Sequence, residues 1–477
     1  MSRTIKTDVA VIGAGTAGLF ARHYAETSGA KAVAFDPGPL GTTCARVGCM
    51  PSKLLIAAAE AAHSAAHAKI FGVKTTVKVD GAKVMSRVRK WRDTFVGGMM
   101  EEYGELIQKK LLVKTKARFT GPHTLEAGDK IYRFKAAVVA TGSAPVVPPP
   151  YRACPGFLLT REEIFEQRRL PGSLLVVGAG LIGLELGQAL SRLGVRVTVL
   201  GLDRLVGPLS DEGLREEAIK CFSGEFDFHP HHELLSVKPA GKKIRVSFRD
   251  SRGKKRAHSY DRVLIAAGQR PDFDGLGLEN TGVPLNAKGA PEADPETMRA
   301  GRSNIFLAGD ADPYRPSLHE AGFEGRLAGA NAARFPRVER KERGCALTIA
   351  FTDPQMAVIG TVPPELKKGS FCRGELDFSQ QGRALMMNAG RGRLNLYGDR
   401  KNGRLLGAEM LGPRAEHLAH LIAWAIEKKM TVGEMLRMPF YHPVFEEGLK
   451  RALEDLKAGV KGRRAGCEEG RPGDRQS

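Results

Sequence analysis

The sequence predicts an α/β protein, and a repeated pattern is the first observation behind that. DVAVIGAGTAGLFARHYAETSGAKAVAFD begins at Asp8, and LLVVGAGLIGLELGQALSRLGVRVTVLG repeats its layout in mid-chain. Each copy places a short apolar run before a G-x-G-x-x-G turn, then a helix-forming stretch, then a second apolar run. The second observation is composition: 56 glycines with only 6% aromatics suit tight strand-to-helix turns better than an aromatic-rich β-sandwich. The third is length. A chain of 477 residues, 42% hydrophobic, is long enough for two to four domains at about 150 residues each.

The first copy carries Gly13, Gly15 and Gly18. In this motif the first glycine permits the tight turn and the second lets backbone N–H groups approach a pyrophosphate. The third lets the helix pack on the strand, and the helix N-terminus favours the phosphate charge. Asp36, 23 residues after Gly13 (36 − 13), stands where a carboxylate accepts hydrogen bonds from ribose hydroxyls. The second copy carries Gly178, Gly180 and Gly183, but the same step from Gly178 lands on Gly201. The ribose-binding acid is missing there and no arginine replaces it. Arg196, Asp203 and Arg204 are near. The intact Gly183 and the lack of an arginine at 201 lean toward NAD(H) without excluding NADP(H). Two further segments echo each other: AAVVATGSAP, with Thr141 and Gly142, and DRVLIAAGQRPD, with Gly268, each end an apolar run in a small-residue turn. NIFLAGDAD is another strand-like run and ends at Gly309-Asp310. A carboxylate there, near the first nucleotide site, suits a polyol chain.

Net charge is +20, which suits an acidic partner. The basic residues are spread along the whole chain, and no helix-turn-helix spacing, zinc finger or aromatic-basic platform points to nucleic acid. No run reaches the ~18 apolar residues of a membrane span. The N-terminus enters an apolar strand directly, without a cleavage site. These features predict a cytoplasmic enzyme. In a reducing compartment a close cysteine pair is catalytic or metal-binding more often than a structural bridge.

Such a pair stands in GTTCARVGCMPSK, residues 41–53, in a chain with only 7 cysteines. Cys44 and Cys49 lack a second Cys/His cluster, so the strong zinc patterns are missing and no metal site is predicted. In one continuous helix the pair would be separated by about 7.5 Å of rise alone, whereas a disulfide needs Cα atoms within roughly 7 Å. A bridge therefore requires a non-helical approach, and Gly48 supplies backbone freedom just before Cys49. Pro51 suits the first turn of a helix through LLIAAAEAAHSAA. Cys49 then lies by a helix N-terminus, which stabilises a thiolate, and Lys53 adds positive charge.

GTTCARVGCMPSK resembles the G-G-T-C-L-N-V-G-C-I-P-S-K signature of the class I pyridine nucleotide-disulfide oxidoreductases, most of all the dihydrolipoamide dehydrogenases. The resemblance runs from about residue 6 to 455, with the family's motifs in order, down to IAFTDPQMAVIG, RLLGAEMLGP and YHPVFEE in the C-terminal part. It implies two Rossmann-like domains of the glutathione-reductase type, for FAD and NAD(P), plus an α+β C-terminal dimerisation domain. The expected division is 1–150 and 281–345 for FAD, 151–280 for NAD(P), 346–456 for dimerisation and 457–477 as a basic flexible tail.

Residue roles are likewise what the resemblance implies. Cys44 is the interchange thiol, and Cys49 faces the flavin as the charge-transfer thiolate. Lys53 and Glu185 form an ion pair beside the flavin. His442 and Glu447 match the H-P-x-x-x-E dyad, which works across the dimer. Gly13, Gly15, Gly18, Asp36, Lys53, Thr141, Gly142, Asp310 and His319 hold FAD; Gly178, Gly180, Gly183, Glu185 and Gly268 hold NAD. The types suit the chemistry: a thiolate is the nucleophile in disulfide exchange, and an imidazole oriented by a carboxylate is a base near neutral pH.

The implied activity is oxidation of a protein-bound dihydrolipoyl group with reduction of NAD+, by a homodimer that takes the lipoyl group from a carrier, acidic in character. The alternative is NAD(P)H-dependent reduction of another disulfide such as glutathione disulfide. The sequence departs from the common lipoamide pattern at Ala45-Arg46, at Tyr441 before His442, and at Gly201.

Overall fold

The computed structural model describes residues 4–202 and 204–460. Asp203 and the stretch 461–477, which holds Cys467 and most of the expected tail, lie outside the described residues.

Each glycine motif opens a parallel five-stranded sheet. The first sheet has the order Ile305–Leu307, Ala136–Val139, Val9–Ile12, Ala32–Phe35, Leu112–Val113. The second has the order Leu158–Leu159, Arg262–Ile265, Ser173–Val177, Arg196–Leu200, Asp227–His229. Their central strands are largely apolar because both faces are covered: Val9, Ala10 and Val11 are each 0% exposed. The strand Ile305–Leu307 brings the chain back into the first sheet after the second is complete. The two echoing segments meet as well. Ser143–Pro145 pairs antiparallel with Gln269–Pro271, so the exits of the two nucleotide units are joined in one ribbon.

The motif glycines have the expected causes. Gly13 has φ +103°, and a Cβ on Gly18 would lie 2.0 Å from the Gly13 carbonyl oxygen. The second copy repeats both features at Gly178 and Gly183. Close helix-on-strand packing follows, and it aims the N-terminus of each helix, Thr16–Thr27 and Leu181–Arg192, at the end of its sheet.

An antiparallel meander, His232–Ala240, Lys243–Asp250 and Lys255–Tyr260, is inserted beside the second sheet. The C-terminal part is an antiparallel sheet in the order Leu347–Ala350, Gln355–Gly360, Leu405–Gly412, Arg393–Asp399, Phe371–Asp377. Helices Ala415–Glu427 and Glu447–Val460 bury Leu418, Ile422, Leu453 and Leu456 against it. This is the expected α+β arrangement. The last helix runs through 457–460, past the boundary expected at 456. No helix among the described residues is long and apolar enough to cross a membrane.

Candidate functional site

Cys44 and Cys49 lie on two different helices. Cys44 belongs to the short helix Thr43–Val47, and Cys49 is the first residue of Cys49–His67. The break falls at Gly48, as disulfide reach required. The reason for glycine differs from the one expected: its φ is −123°, not left-handed. A Cβ there would sit 3.0 Å from the Thr43 carbonyl oxygen and 3.3 Å from Cys44 Cα. Gly48 is thus what lets the two helices close on each other. Pro51 occupies the first turn of the second helix, where backbone N–H groups have no intrahelical partner to lose. Thr42, two residues before Cys44, has φ +55° and caps the short helix by accepting from the Ala45 N–H at 3.2 Å. A β-branched residue in that region is strained, at a cost of about 1–3 kcal/mol.

Both cysteines are free thiols, and they are hydrogen-bonded to each other. The bond from Cys44 and the nearby Lys53 ammonium draw the Cys49 thiol down to about 6, against burial, which opposes it. Cys44 is pushed up by the same bond and by burial. The pair thus shares one proton, and the thiolate rests on Cys49. In the reduced protein, iodoacetamide labelling of Cys49 is expected to accelerate with rising pH through a midpoint near 6, because only the thiolate attacks. Rapid-mixing alkylation with mass readout checks this; a midpoint at an ordinary thiol value of about 8.5 would contradict it.

Lys53 Nζ is 2.8 Å from Glu185 Oε2 and 4.5 Å from the centre of the Phe351 ring. Glu185 Oε1 accepts from the Phe351 N–H at 2.9 Å. One carboxylate, its side chain 7% exposed, therefore ties the helix bearing Cys49 to the second nucleotide unit and to the C-terminal part. Removing the lysine would strand a buried charge, a situation that typically costs 3–5 kcal/mol.

The cysteines open on a cavity of 330 Å³ whose wall includes Gly15, Lys53, Gly142, Glu185 and Asp310. Asp310 accepts from Ser143 Oγ at 2.9 Å. Thr141, between two residues of that wall, has a buried hydroxyl with no hydrogen-bond partner. Asp36 accepts from the Ala14 and Gly38 N–H groups, both at 2.7 Å, and so holds the first glycine turn. His319 is exposed and is not part of the wall. The start of its helix reaches the cavity through Ser317, Leu318 and Ala321 instead. Gly268, with φ +102°, follows the strand Arg262–Ile265 of the second sheet.

His442 and Glu447 are brought together elsewhere. His442 Nδ1 is 2.9 Å from Glu447 Oε1, and Glu447 Oε2 accepts from the Val444 N–H at 3.2 Å. A carboxylate only accepts, so Nδ1 carries the proton and Nε2 keeps its lone pair. The histidine bond also holds the Glu447 carboxyl below the usual carboxylate range. The His442 side chain is 79% exposed and does not line the cysteine cavity.

Some residues around the site were not singled out from the sequence. Arg161 lines the cavity and donates to the Ser143 carbonyl at 2.5 Å. Glu324 accepts from the Gly309 N–H at 2.7 Å. Arg343 sits among Glu324, Glu320 and Asp312 at 2.8, 3.3 and 3.3 Å. Burial pushes Glu324 up to about 8. Among the described residues no group of three His, Cys, Asp or Glu side chains is placed to hold a metal.

Residues 7–325 match the family model for pyridine nucleotide-disulphide oxidoreductases, and residues 347–453 match the dimerisation domain of the same family. The chain is a pyridine nucleotide-disulphide oxidoreductase. Among its relatives are dihydrolipoyl dehydrogenases of Halobacterium salinarum, 30% identical, and of Thermus scotoductus, also 30%. Both alignments cover 94% of this chain, and respectively 96% and 97% of the relative. Solved structures share the fold. LpdA from Mycobacterium tuberculosis superposes with a TM-score of 0.80 at 24% identity, over 94% of this chain and 99% of that one. The HOCl-induced flavoprotein disulfide reductase RclA from Escherichia coli gives 0.77 at 20%, over 94% and 99%. The oxidoreductase uses the family's cofactors, FAD and NAD(H). The residues present fit the flavin nucleotide: the buried Thr141 hydroxyl lacks a partner beside a glycine-lined wall. The dimerisation domain supports a homodimer.

Proposed function

We propose that the oxidoreductase oxidises a protein-bound dihydrolipoyl dithiol and reduces NAD+. The observation that carries this reading is the close pair of thiols on one cavity with the Lys53–Glu185 ion pair, one thiol lowered and one raised. Relatives matching along nearly the whole chain and named dihydrolipoyl dehydrogenase support the substrate class.

In this scheme a substrate thiolate attacks Cys44 of the oxidised Cys44–Cys49 pair. The disulfide breaks, a mixed disulfide forms, and Cys49 leaves as the thiolate that its surroundings favour. The second substrate thiol then closes the lipoyl ring and releases Cys44. His442 of the second copy, oriented by Glu447, takes the substrate's proton at Nε2. A dyad exposed in one chain and absent from that chain's own cysteine cavity suits work across a dimer. Bound FAD supplies the two-electron relay between the reduced cysteine pair and NAD+.

Gly13, Gly15, Gly18, Asp36, Lys53, Thr141, Gly142, Asp310 and His319 would hold FAD. Gly178, Gly180, Gly183, Glu185 and Gly268 would hold the nicotinamide dinucleotide. The working division of the chain is the one expected from sequence, with segments 1–150 and 281–345 on the FAD side. The lipoyl carrier is an acidic protein in the cytoplasm, complementary to the +20 charge.

The test is a direct comparison on the purified yellow protein. Turnover of dihydrolipoamide with NAD+ is expected, and it should outpace reduction of glutathione disulfide by NADH or NADPH. Rapid glutathione disulfide reduction without lipoyl turnover would overturn the substrate assignment and favour the alternative.

A further inference from the structure

Tyr103 lies on the long helix Gly81–Gln108 and is 1% exposed. It carries a hydroxyl into a cluster made mostly of alanine, valine and leucine side chains. Burying a hydroxyl is unfavourable unless it is hydrogen-bonded, so its partners are informative. The hydroxyl donates to the Ala14 carbonyl oxygen at 2.7 Å. Ala14 lies inside the first glycine turn, and its own N–H donates to Asp36 at 2.7 Å. The turn is thus held from two sides. The backbone N–H groups of Gly41 and Thr42 face the same phenol oxygen. Burial pushes the phenol up to about 12 against those two N–H groups, so it stays a donor at neutral pH. Gly41 meets this helix a second time: its φ is +114°, and a Cβ there would lie 2.7 Å from Val96 Cγ1. The helix Gly81–Gln108 therefore grips the backbone just ahead of the cysteine pair.

What it grips includes the strained residue. Thr42 has φ +55° and ψ 149°, a region that glycine enters freely and a β-branched residue does not. The signature that this stretch resembles reads G-G-T-C, with glycine at this position, where the chain reads GTTC. Threonine keeps such a conformation only where its surroundings enforce it. The short helix that bears Cys44 hangs from this residue. The Ala45 N–H donates to Thr42 Oγ1 at 3.2 Å, and the Arg46 N–H donates to the Thr42 carbonyl oxygen at 3.1 Å. Relaxation of Thr42 to a negative φ would turn the helix Thr43–Val47 and carry Cys44 away from Cys49. The bond between the thiols, which favours the Cys49 thiolate, would weaken with it.

The structure assigns Tyr103 a positioning role: its hydroxyl holds Thr42 in the strained conformation, and through Thr42 it sets the Cys44 thiol against Cys49. Tyr103 is not part of the wall of the cysteine cavity; it acts through the backbone, and its bond to Ala14 ties that geometry to the first glycine turn. This rests on Cys44 and Cys49 being the redox pair, and it does not depend on which disulfide is the substrate.

Tyr103→Phe in the FAD-loaded protein, alone and combined with Thr42→Gly, tests it. The ring still fills its place and only the hydroxyl goes. With the pair reduced, the pH midpoint of Cys49 alkylation is expected to rise by about 1 unit in Tyr103→Phe, toward the ordinary thiol value of about 8.5. Dihydrolipoamide turnover should fall about tenfold or more, as misplacing a reacting group does. Electron transfer from NADH to ferricyanide should stay within about twofold of wild type, since that route passes through the flavin without the thiols. Glycine holds the conformation of residue 42 without help, so in the Thr42→Gly background the hydroxyl should matter less. There Tyr103→Phe is expected to move the midpoint by less than about half as much, a coupling that a double-mutant cycle reads directly. A midpoint unmoved in Tyr103→Phe would overturn the proposal. So would an equal shift in both backgrounds, because the hydroxyl would then not act through Thr42. Release of FAD with equal loss of both activities would also overturn it, by assigning the hydroxyl to the flavin turn alone. Should Tyr103→Phe fail to fold, Thr42→Gly is expected to restore it, and a double variant that also failed would count against the role. The alkylation needs no substrate, so its outcome stands whether or not the lipoyl assignment does.

Discussion

Cys44→Ser is expected to reduce dihydrolipoamide oxidation to the background rate while FAD stays bound. The hydroxyl keeps the size and much of the hydrogen bonding of the thiol, so the short helix Thr43–Val47 and the cavity wall should persist. What it cannot do is form the mixed disulfide through which exchange proceeds. The serine hydroxyl still donates toward Cys49 and Lys53 is unchanged, so the remaining thiol should stay below an ordinary thiol value. Steady-state lipoamide assays, the visible flavin spectrum and alkylation of Cys49 against pH read the three consequences separately. Lipoamide turnover surviving in this variant would show that Cys44 is not the interchange thiol. Loss of the flavin would show instead that the substitution damaged the fold.

His442→Gln is expected to lower kcat/KM for dihydrolipoamide by about 10²–10⁴-fold, the usual range for losing a positioned general base. Electron transfer from NADH to an artificial acceptor such as ferricyanide should remain near wild type, because that route needs no proton from the lipoyl thiol. The geometry allows a sharper form of the test. His442 is 79% exposed and 2.9 Å from Glu447, apart from the wall of its own chain's cysteine cavity. Mixed dimers of Cys44→Ser and His442→Gln subunits should therefore regain activity. In such a dimer the intact Cys44 of one copy meets the intact His442 of the other. Mixed dimers as inactive as either parent would place the base and the thiol in one chain.

Much of this was readable before the fold was known. The glycine motifs were legible because their demands are local. Gly13 needs a positive φ, and Gly18 needs to touch the carbonyl of Gly13, five residues back in the chain. The cysteine pair was legible because helix rise and disulfide reach conflict over that spacing, and the conflict had to be resolved at Gly48. The reason assigned to Gly48 was incomplete, since it is a close approach to Thr43 and Cys44 that excludes a side chain. The same limit applies to Thr42, whose strained φ of +55° leaves no mark in the sequence.

The amino-acid order alone therefore pointed to the two glycine-motif units, the close cysteine pair and the histidine–carboxylate pair, since each rests on short-range geometry or on a recognisable run of residues. Three other matters waited on the tertiary structure. Glu185 joins three parts of the chain because it accepts from Phe351, 166 residues away. Arg343 meets three carboxylates through packing that no periodicity announces. Gly201 looked like a missing acid and proved to be a position closed by Pro230 and Ala179, which reach it from separate segments of the chain. Polar loop residues have no repeat to betray their partners, so only the folded chain shows which of them share a cavity. The stretch GTTCARVGCMPSK lies on the other side of that divide: its close cysteines stood out by spacing alone, and the fold brings the expected Lys53–Glu185 pair together beside it.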